Sequence, residues 1–217
     1  MTLAIFDLDN TLIAGDSDYL WGQFLGEIGA VDAAFYAREH DRFYQDYLEG
    51  TLDIHQFLRF QLGPLAQHDL RKLEQWREQF MEERIRPILL PKALDLLARH
   101  RKSGHTLLII TATNRFITAP IADALGVPHL IATDPEFVSG RYTGGVAGTP
   151  SYAGGKVDRL RGWLTAHDHS MDGSWFYSDS HNDLPLLRLV SNPVAVDPDE
   201  SLYREATRKG WPVISLR

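Results

Sequence analysis

Leu3-Ala4-Ile5-Phe6-Asp7-Leu8-Asp9-Asn10-Thr11 joins four apolar residues to an abrupt carboxylate, and its reading decides the fold. A short apolar run stopped by charge suits a strand buried on both faces, as in a parallel sheet covered by helices. Similar runs occur at Thr106 to Ile110, Trp175 to Tyr177 and Val194 to Val196. Helical patterns lie between them. Ala93 to Lys102 carries leucines at 94, 96 and 97, with Pro91 ahead, basic residues at its end and Gly104 beyond, the start and stop chemistry of a helix. Asn114 to Leu125 predicts another, interrupted by Pro120, and Asp183 to Val190 a shorter one. Leu130 to Val146 reads as a hairpin turning at Ser139-Gly140.

From Asp16 to Arg86 strand signals vanish. Trp21, Phe24, Leu25 and Ile28 recur at helical spacing, followed by Phe35 to Leu48, Ile54 to Leu62 and Leu70 to Ile85. An all-helical insert of roughly 70 residues directly after the first strand reads as a second, smaller domain placed over the active edge of an α/β core. The expected division is a core of 1–15 and 87–217 with a helical cap over 16–86.

The chain has 217 residues, 29 acidic and 22 basic, for a net charge of −7. That sign argues against a phosphate polymer as partner, so nucleic acid is not expected. No apolar run is long enough to span a membrane, and the start reaches Asp7 too soon for a signal peptide, so the expected location is the cytoplasm. The absence of cysteine removes disulfides, thiolate zinc sites and thiol nucleophiles. Any chemistry must rest on carboxylates, hydroxyls, Lys and His.

Open parallel sheets bind ligands beyond the carboxyl ends of their strands. Asp7, Thr111 and Asp179 each fall within a residue or two of such an end. A carboxylate nucleophile at Asp7 suits phosphoryl transfer, because the acyl phosphate it forms can be opened by water, dividing one hard step into two. Asp9, two residues on, can protonate the departing alcohol and then take a proton from the attacking water. Two like charges repel an anionic substrate, so a hard divalent cation is expected, magnesium by default. The same Asp-x-Asp-x-Thr could be a solvated turn. It is a poor calcium loop, since Leu12 stands where that loop needs glycine and Asp18 where it needs Glu.

Thr111 could bind a phosphate oxygen, or simply cap a helix. Lys156 follows Gly154-Gly155, a flexible approach that would let its ammonium reach into a site; alone it reads better as a solvated surface lysine. Tyr177-Ser178-Asp179-Ser180-His181-Asn182-Asp183-Leu184-Pro185 places two carboxylates four apart, suited to holding a metal and positioning a lysine, with Asp183 also a helix cap. His181 is not expected to ligate, because magnesium prefers oxygen. Trp21, Phe24, Phe57, Phe60 and Trp76 are expected mostly to pack the cap.

In this order, Asp7-Leu8-Asp9-Asn10-Thr11, Thr111, Lys156 and Asp179 with Asn182 and Asp183 resemble the haloacid dehalogenase superfamily of phosphatases, over nearly the whole chain. The resemblance implies a Rossmann-like parallel sheet with an inserted helical cap of the type found in the phosphoserine phosphatase subgroup. It implies Asp7 as nucleophile and Asp9 as acid/base, with Asp7, the Asp9 carbonyl and Asp179 holding magnesium. Thr111, Lys156, Asn10 and Ala112 would surround the phosphate, and Asn182 and Asp183 would complete the acidic loop. Asp16 matches the position of the subgroup's amino-binding acid, but Gln61 falls where its carboxylate-binding arginine belongs, with Arg59 two residues earlier. The expected activity is a phosphoserine phosphatase-like hydrolysis of a small phosphate monoester by a monomer or homodimer. Histidinol phosphate, an amino alcohol ester without a carboxylate, is the alternative. A phosphomutase and a receiver-like signalling module are more distant rivals.

Overall fold

A computed structural model describes residues 2–217. In chain order the strands are β1 (Leu3–Phe6), β2 (Thr106–Asn114), β3 (His129–Thr133), β4 (Pro135–Val138), β5 (Arg141–Val146), β6 (Trp175–Ser178), β7 (Asn192–Val196) and β8 (Val213–Ile214). Six of them form one parallel sheet in the order β3-β2-β1-β6-β7-β8. The fold is α/β, as expected. Alternation along β1 sends Ala4 and Phe6 into one apolar layer and Leu3 and Ile5 into the other. The second layer is closed by Val157 and Leu160 of α7 (Gly154–His167), Leu186 and Leu187 of α8 (Leu184–Leu187), and Leu202 and Ala206 of α9 (Glu200–Lys209). Burial on both faces, worth about 1.5–3 kcal/mol for each large side chain, is why the strands read as unbroken apolar runs.

The helical insert comprises α1 (Ser17–Glu27), α2 (Ala33–Glu49), α3 (Ile54–Gln67) and α4 (Leu70–Phe80), and α4 runs on through a π turn at Met81–Ile85. Each of the four opens on an aspartate, Asp16, Asp32, Asp53 and Asp69, whose side chain accepts the free N–H groups of the first turn. The chain leaves and re-enters the core side by side. Ile13 bridges Leu89, and the Ala14 N–H donates to the Ile88 carbonyl at 2.9 Å. Trp21, Phe24 and Phe80 pack together and reach Phe116 of α6 (Arg115–Ala124), so the insert shares an apolar cluster with the sheet.

Two prolines sit inside helices, each with its vacancy filled. Pro120 cannot donate to the carbonyl of Phe116, which accepts the Arg77 guanidinium at 3.1 Å instead. Pro64 leaves the Phe60 carbonyl to the Tyr36 hydroxyl at 3.4 Å. Of the expected hairpin, residues 130–133 belong instead to β3 of the main sheet. The hairpin itself is β4–β5, turning at Ser139 and Gly140, both at positive φ. α5 (Pro91–Lys102) begins at its proline. Among the described residues no helix is long and apolar enough to cross a membrane.

Candidate active site

The sheet gathers its polar residues at one edge. The Asp7 N–H continues the ladder to the Tyr177 carbonyl at 2.9 Å, which fixes where β1 ends and the carboxylate begins. Thr11 ties this turn to the loop after β6. Its hydroxyl lies 3.3 Å from both Asp7 Oδ2 and Asp179 Oδ1 and accepts the Asp179 N–H at 3.1 Å. The acidic groups near the two ends of the chain therefore meet on one side of the molecule.

Lys156 enters from the first turn of α7 and donates to Asp7 Oδ1 at 2.7 Å and Asp183 at 2.8 Å. The Gly154-Gly155 pair is not the flexible approach that the sequence suggests. Both glycines begin α7, and a Cβ on Gly155 would lie 2.1 Å from the Pro150 carbonyl oxygen. Glycine there permits close packing that aims the lysine. Ser178 Oγ donates to Asp183 at 2.7 Å, holding the third member of the group.

Asp9 is clamped by four donors. Its Oδ1 accepts the Ser17 N–H at 2.7 Å and the Ser17 hydroxyl at 2.6 Å; its Oδ2 faces the Thr113 hydroxyl at 2.9 Å and that of Thr111 at 3.3 Å. Thr111 and Thr113 share a face of β2 by the period of two, a signal that sequence reasoning passed over along with Ser17. Burial, with Asp16 adding repulsion, pushes Asp9 up to about 6 against its hydrogen bonds.

Burial likewise pushes Asp7 up to about 7; Lys156 opposes this, while Asp183 and Asp9 reinforce it. Asp179 is held well above the usual carboxylate range by burial and then by Asp7 and Asp183. Burial works against the Lys156 ammonium, but Asp183 and Asp7 outweigh it and keep it protonated. One ammonium does not neutralise this many acids.

Above the edge lies a cavity of ≈ 200 Å³. That is below the range of about 300–1,000 Å³ usual for ligand pockets, a size suited to a small ligand. Asp7, Asp9, Asn10, Asp16, Thr111, Ala112, Lys156, Asp179, Asn182 and Asp183 all face it, so most of the residues singled out in the sequence come together. Two do not. Arg59 is exposed on α3 and lies outside the lining, and Gln61 is buried behind it, its Nε2 3.2 Å from His40 Nε2. Asp16 reaches the cavity rim but is exposed and spends Oδ1 on the Tyr19 N–H as the cap of α1.

The far wall is aromatic. It is made by Phe43, Tyr44 and Tyr47 of α2 and Phe57 of α3, with His40, whose pKa is lowered by burial, as the neighbouring polar group. Tyr47 OH lies 2.5 Å from Ser180 Oγ, joining α2 to the acidic loop, and Tyr152 donates to Asn182 Oδ1 at 3.2 Å. Of the five aromatics singled out in the sequence, Phe57 lines the cavity; Trp21, Phe24, Phe60 and Trp76 do not. His181 is engaged with Asp199 at 2.8 Å.

The donor set suits a hard cation. Seven aspartates line the cavity against one lysine, all offering oxygen, and the buried Nδ2 of Asn182 has no partner, a donor left for a ligand oxygen. Among the described residues no three acidic or imidazole side chains form a closed metal cage. Asp7 and Asp179, both held by Thr11, could hold such an ion, with its remaining positions filled from water or substrate as small hard cations allow.

The chain matches the family model for haloacid dehalogenase-like hydrolases over residues 4–188. It is 47% identical to a histidinol-phosphatase of Neisseria meningitidis serogroup C, covering 99% of both chains. A crystal structure of a protein of unknown function from Bordetella pertussis Tohama I superposes with a TM-score of 0.94 at 46% identity, covering 100% of both. A phosphoserine phosphatase carrying an analogue of a phospho-aspartyl intermediate superposes at 0.71 with 18% identity, covering 100% of this chain and 93% of that one, a likeness of fold.

Proposed function

The chain belongs to the haloacid dehalogenase-like hydrolases and is a phosphoric monoester hydrolase, and from that premise we propose that it removes phosphate from histidinol phosphate with magnesium, through a phosphoaspartyl intermediate on Asp7. The observation that carries the substrate choice is the charge of the cavity. Its lining holds no arginine, and its one lysine is committed to Asp7 and Asp183, so no free cationic side chain remains to receive a substrate carboxylate. Phosphoserine carries one; histidinol phosphate does not. The full-length meningococcal relative supports the same choice, and the aromatic wall suits an imidazole ring.

In this reading Asp7, as the carboxylate that Lys156 favours against burial, attacks phosphorus as the P–O bond to the alcohol breaks, and Asp9 gives its proton to the leaving oxygen. Asp9, now ionised, takes a proton from water, whose oxygen attacks the acyl phosphate; inorganic phosphate leaves and Asp7 is restored. A value of about 6 lets Asp9 serve in both directions near neutrality. Asp7, Asp179 and the Asp9 carbonyl would hold the magnesium ion, which supplies charge neutralisation for the phosphate oxygens. Ser17, Thr111 and Thr113 keep Asp9 in place. Closure of the helical insert over the cavity excludes water, and the Tyr47–Ser180 contact lies where insert and core meet.

Phosphate release measured on histidinol phosphate and phosphoserine, each with magnesium, tests the proposal. The former is expected to have the higher kcat/KM; a preference for phosphoserine would overturn it.

A further inference from the structure

Asp18 has no part in the steps above, yet it lines the same cavity and is 4% exposed. Its Oδ1 accepts the Asn114 amide at 3.1 Å, and no ion pair among the described residues includes it. Burial, with Asp16 and Asp9 adding repulsion, pushes its pKa well up. A carboxylate in that position costs stability unless a cation reaches it. An asparagine would keep the bond to Asn114 without the repulsion, so packing alone does not explain an acid here.

Its placement relative to the reaction is fixed by two consecutive residues. Thr113 holds Asp9 through its hydroxyl at 2.9 Å, and Asn114 holds Asp18 through its amide while its own Oδ1 caps α6 at the Ile117 N–H. The end of β2 thus holds the proposed acid/base through Thr113 and a second carboxylate, outside any ion pair among the described residues, through Asn114. A phosphate ester with an ammonium on the adjacent carbon offers one group to each.

We propose that Asp18, rather than the exposed cap Asp16, receives the ammonium of the substrate and so restricts the enzyme to 2-aminoalkyl phosphates. This rests on the reading above for the position of the phosphate. It does not depend on the imidazole, because the ammonium is recognised separately from the ring.

The test compares two matched pairs: histidinol phosphate with its des-amino analogue, and phenylalaninol phosphate with 3-phenylpropyl phosphate. Within each pair the amino ester is expected to have the higher kcat/KM in the native enzyme, and Asp18→Asn is expected to cut that selectivity roughly ten- to a hundredfold. The same substitution is expected to raise the thermal midpoint, which loss of a purely structural acid would not do. Asp18→Ser provides the selectivity measurement if the asparagine variant folds poorly. Selectivity that survives both substitutions, or a native enzyme indifferent to the amino group in both pairs, overturns the inference. If phenylalaninol phosphate has a kcat/KM equal to or above that of histidinol phosphate while Asp18→Asn still erases amino selectivity, histidinol phosphate fails as the assigned substrate and the role of Asp18 stands.

Discussion

Lys156 Nζ lies 2.7 Å from Asp7 Oδ1, although 149 positions separate the two residues. The contact joins the first strand to the start of α7 at the sheet edge where Asp179 and Asp183 also converge. Both partners are almost wholly buried, so the charge of each depends on the other.

Asp7→Asn is expected to lower turnover at least about ten-thousand-fold, since the amide cannot form the acyl phosphate. Lys156 keeps Asp183 as a partner, so the fold is expected to persist. Steady-state phosphate release and thermal unfolding of the same preparation separate the two outcomes, and near-native turnover would remove Asp7 from the role of nucleophile.

Asp9→Asn is expected to fold, because its oxygen can keep the Ser17 N–H while the hydroxyls of Thr111 and Thr113 turn to accept from its amide. Turnover should fall by roughly 10²–10⁴-fold as both proton transfers are lost. With a leaving group good enough to depart unprotonated, phosphoenzyme should build up under rapid quench.

Lys156→Met leaves Asp7 and Asp183 facing each other without a cation. A loss of about 3–5 kcal/mol in unfolding free energy is expected at neutral pH, the usual consequence of stranding a buried charge. Urea denaturation of the metal-free protein gives the number; a change below about 1 kcal/mol would mean the ion pair is less enclosed than its geometry implies.

His100 gives a pH dependence away from the reaction. It lies 2.8 Å from the Tyr177 hydroxyl and 2.8 Å from His105 Nδ1. Burial, with His105 and Arg99 adding repulsion, lowers its pKa to about 4. Between that value and about 6.5 the unfolded chain takes up a proton that the folded chain refuses, so this contribution is complete above pH 6.5 and declines as pH falls toward 4. The urea midpoint of the native protein should therefore drop more between pH 7.5 and 5 than that of His100→Gln. Parallel declines would exclude His100 as the source.

Much of this was legible in the chain because the strands are buried on both faces and end abruptly in acid. β1 was expected at Leu3–Phe6 and is found there, and the helices of the insert announced themselves by spacing. β8 is two residues long, and β3 is five residues long and separated from the hairpin by Asp134 alone, so neither stands apart in the sequence. α7 was hidden by Gly154-Gly155, whose closeness to Pro150 is a property of packing and not of local sequence. The candidate site divides in the same way. Residues that cluster in sequence, such as Asp7 with Asp9 and Asp179 with Asp183, stood out; Ser17, Thr113 and Asp18 gained meaning only when folding placed them around one carboxylate or one cavity. Arg59 and Gln61 show the converse, since their match to the subgroup's cap helix did not put either in the lining.

The most direct measurement is rapid acid quench of the Asp9→Asn enzyme with magnesium and a ³²P-labelled aryl phosphate, followed by peptide mapping of the label. A hydroxylamine-sensitive label on the peptide containing Asp7, absent when magnesium is chelated, is the expected result. Full turnover with no labelled protein, or a label carried by a different residue, would contradict covalent catalysis at Asp7.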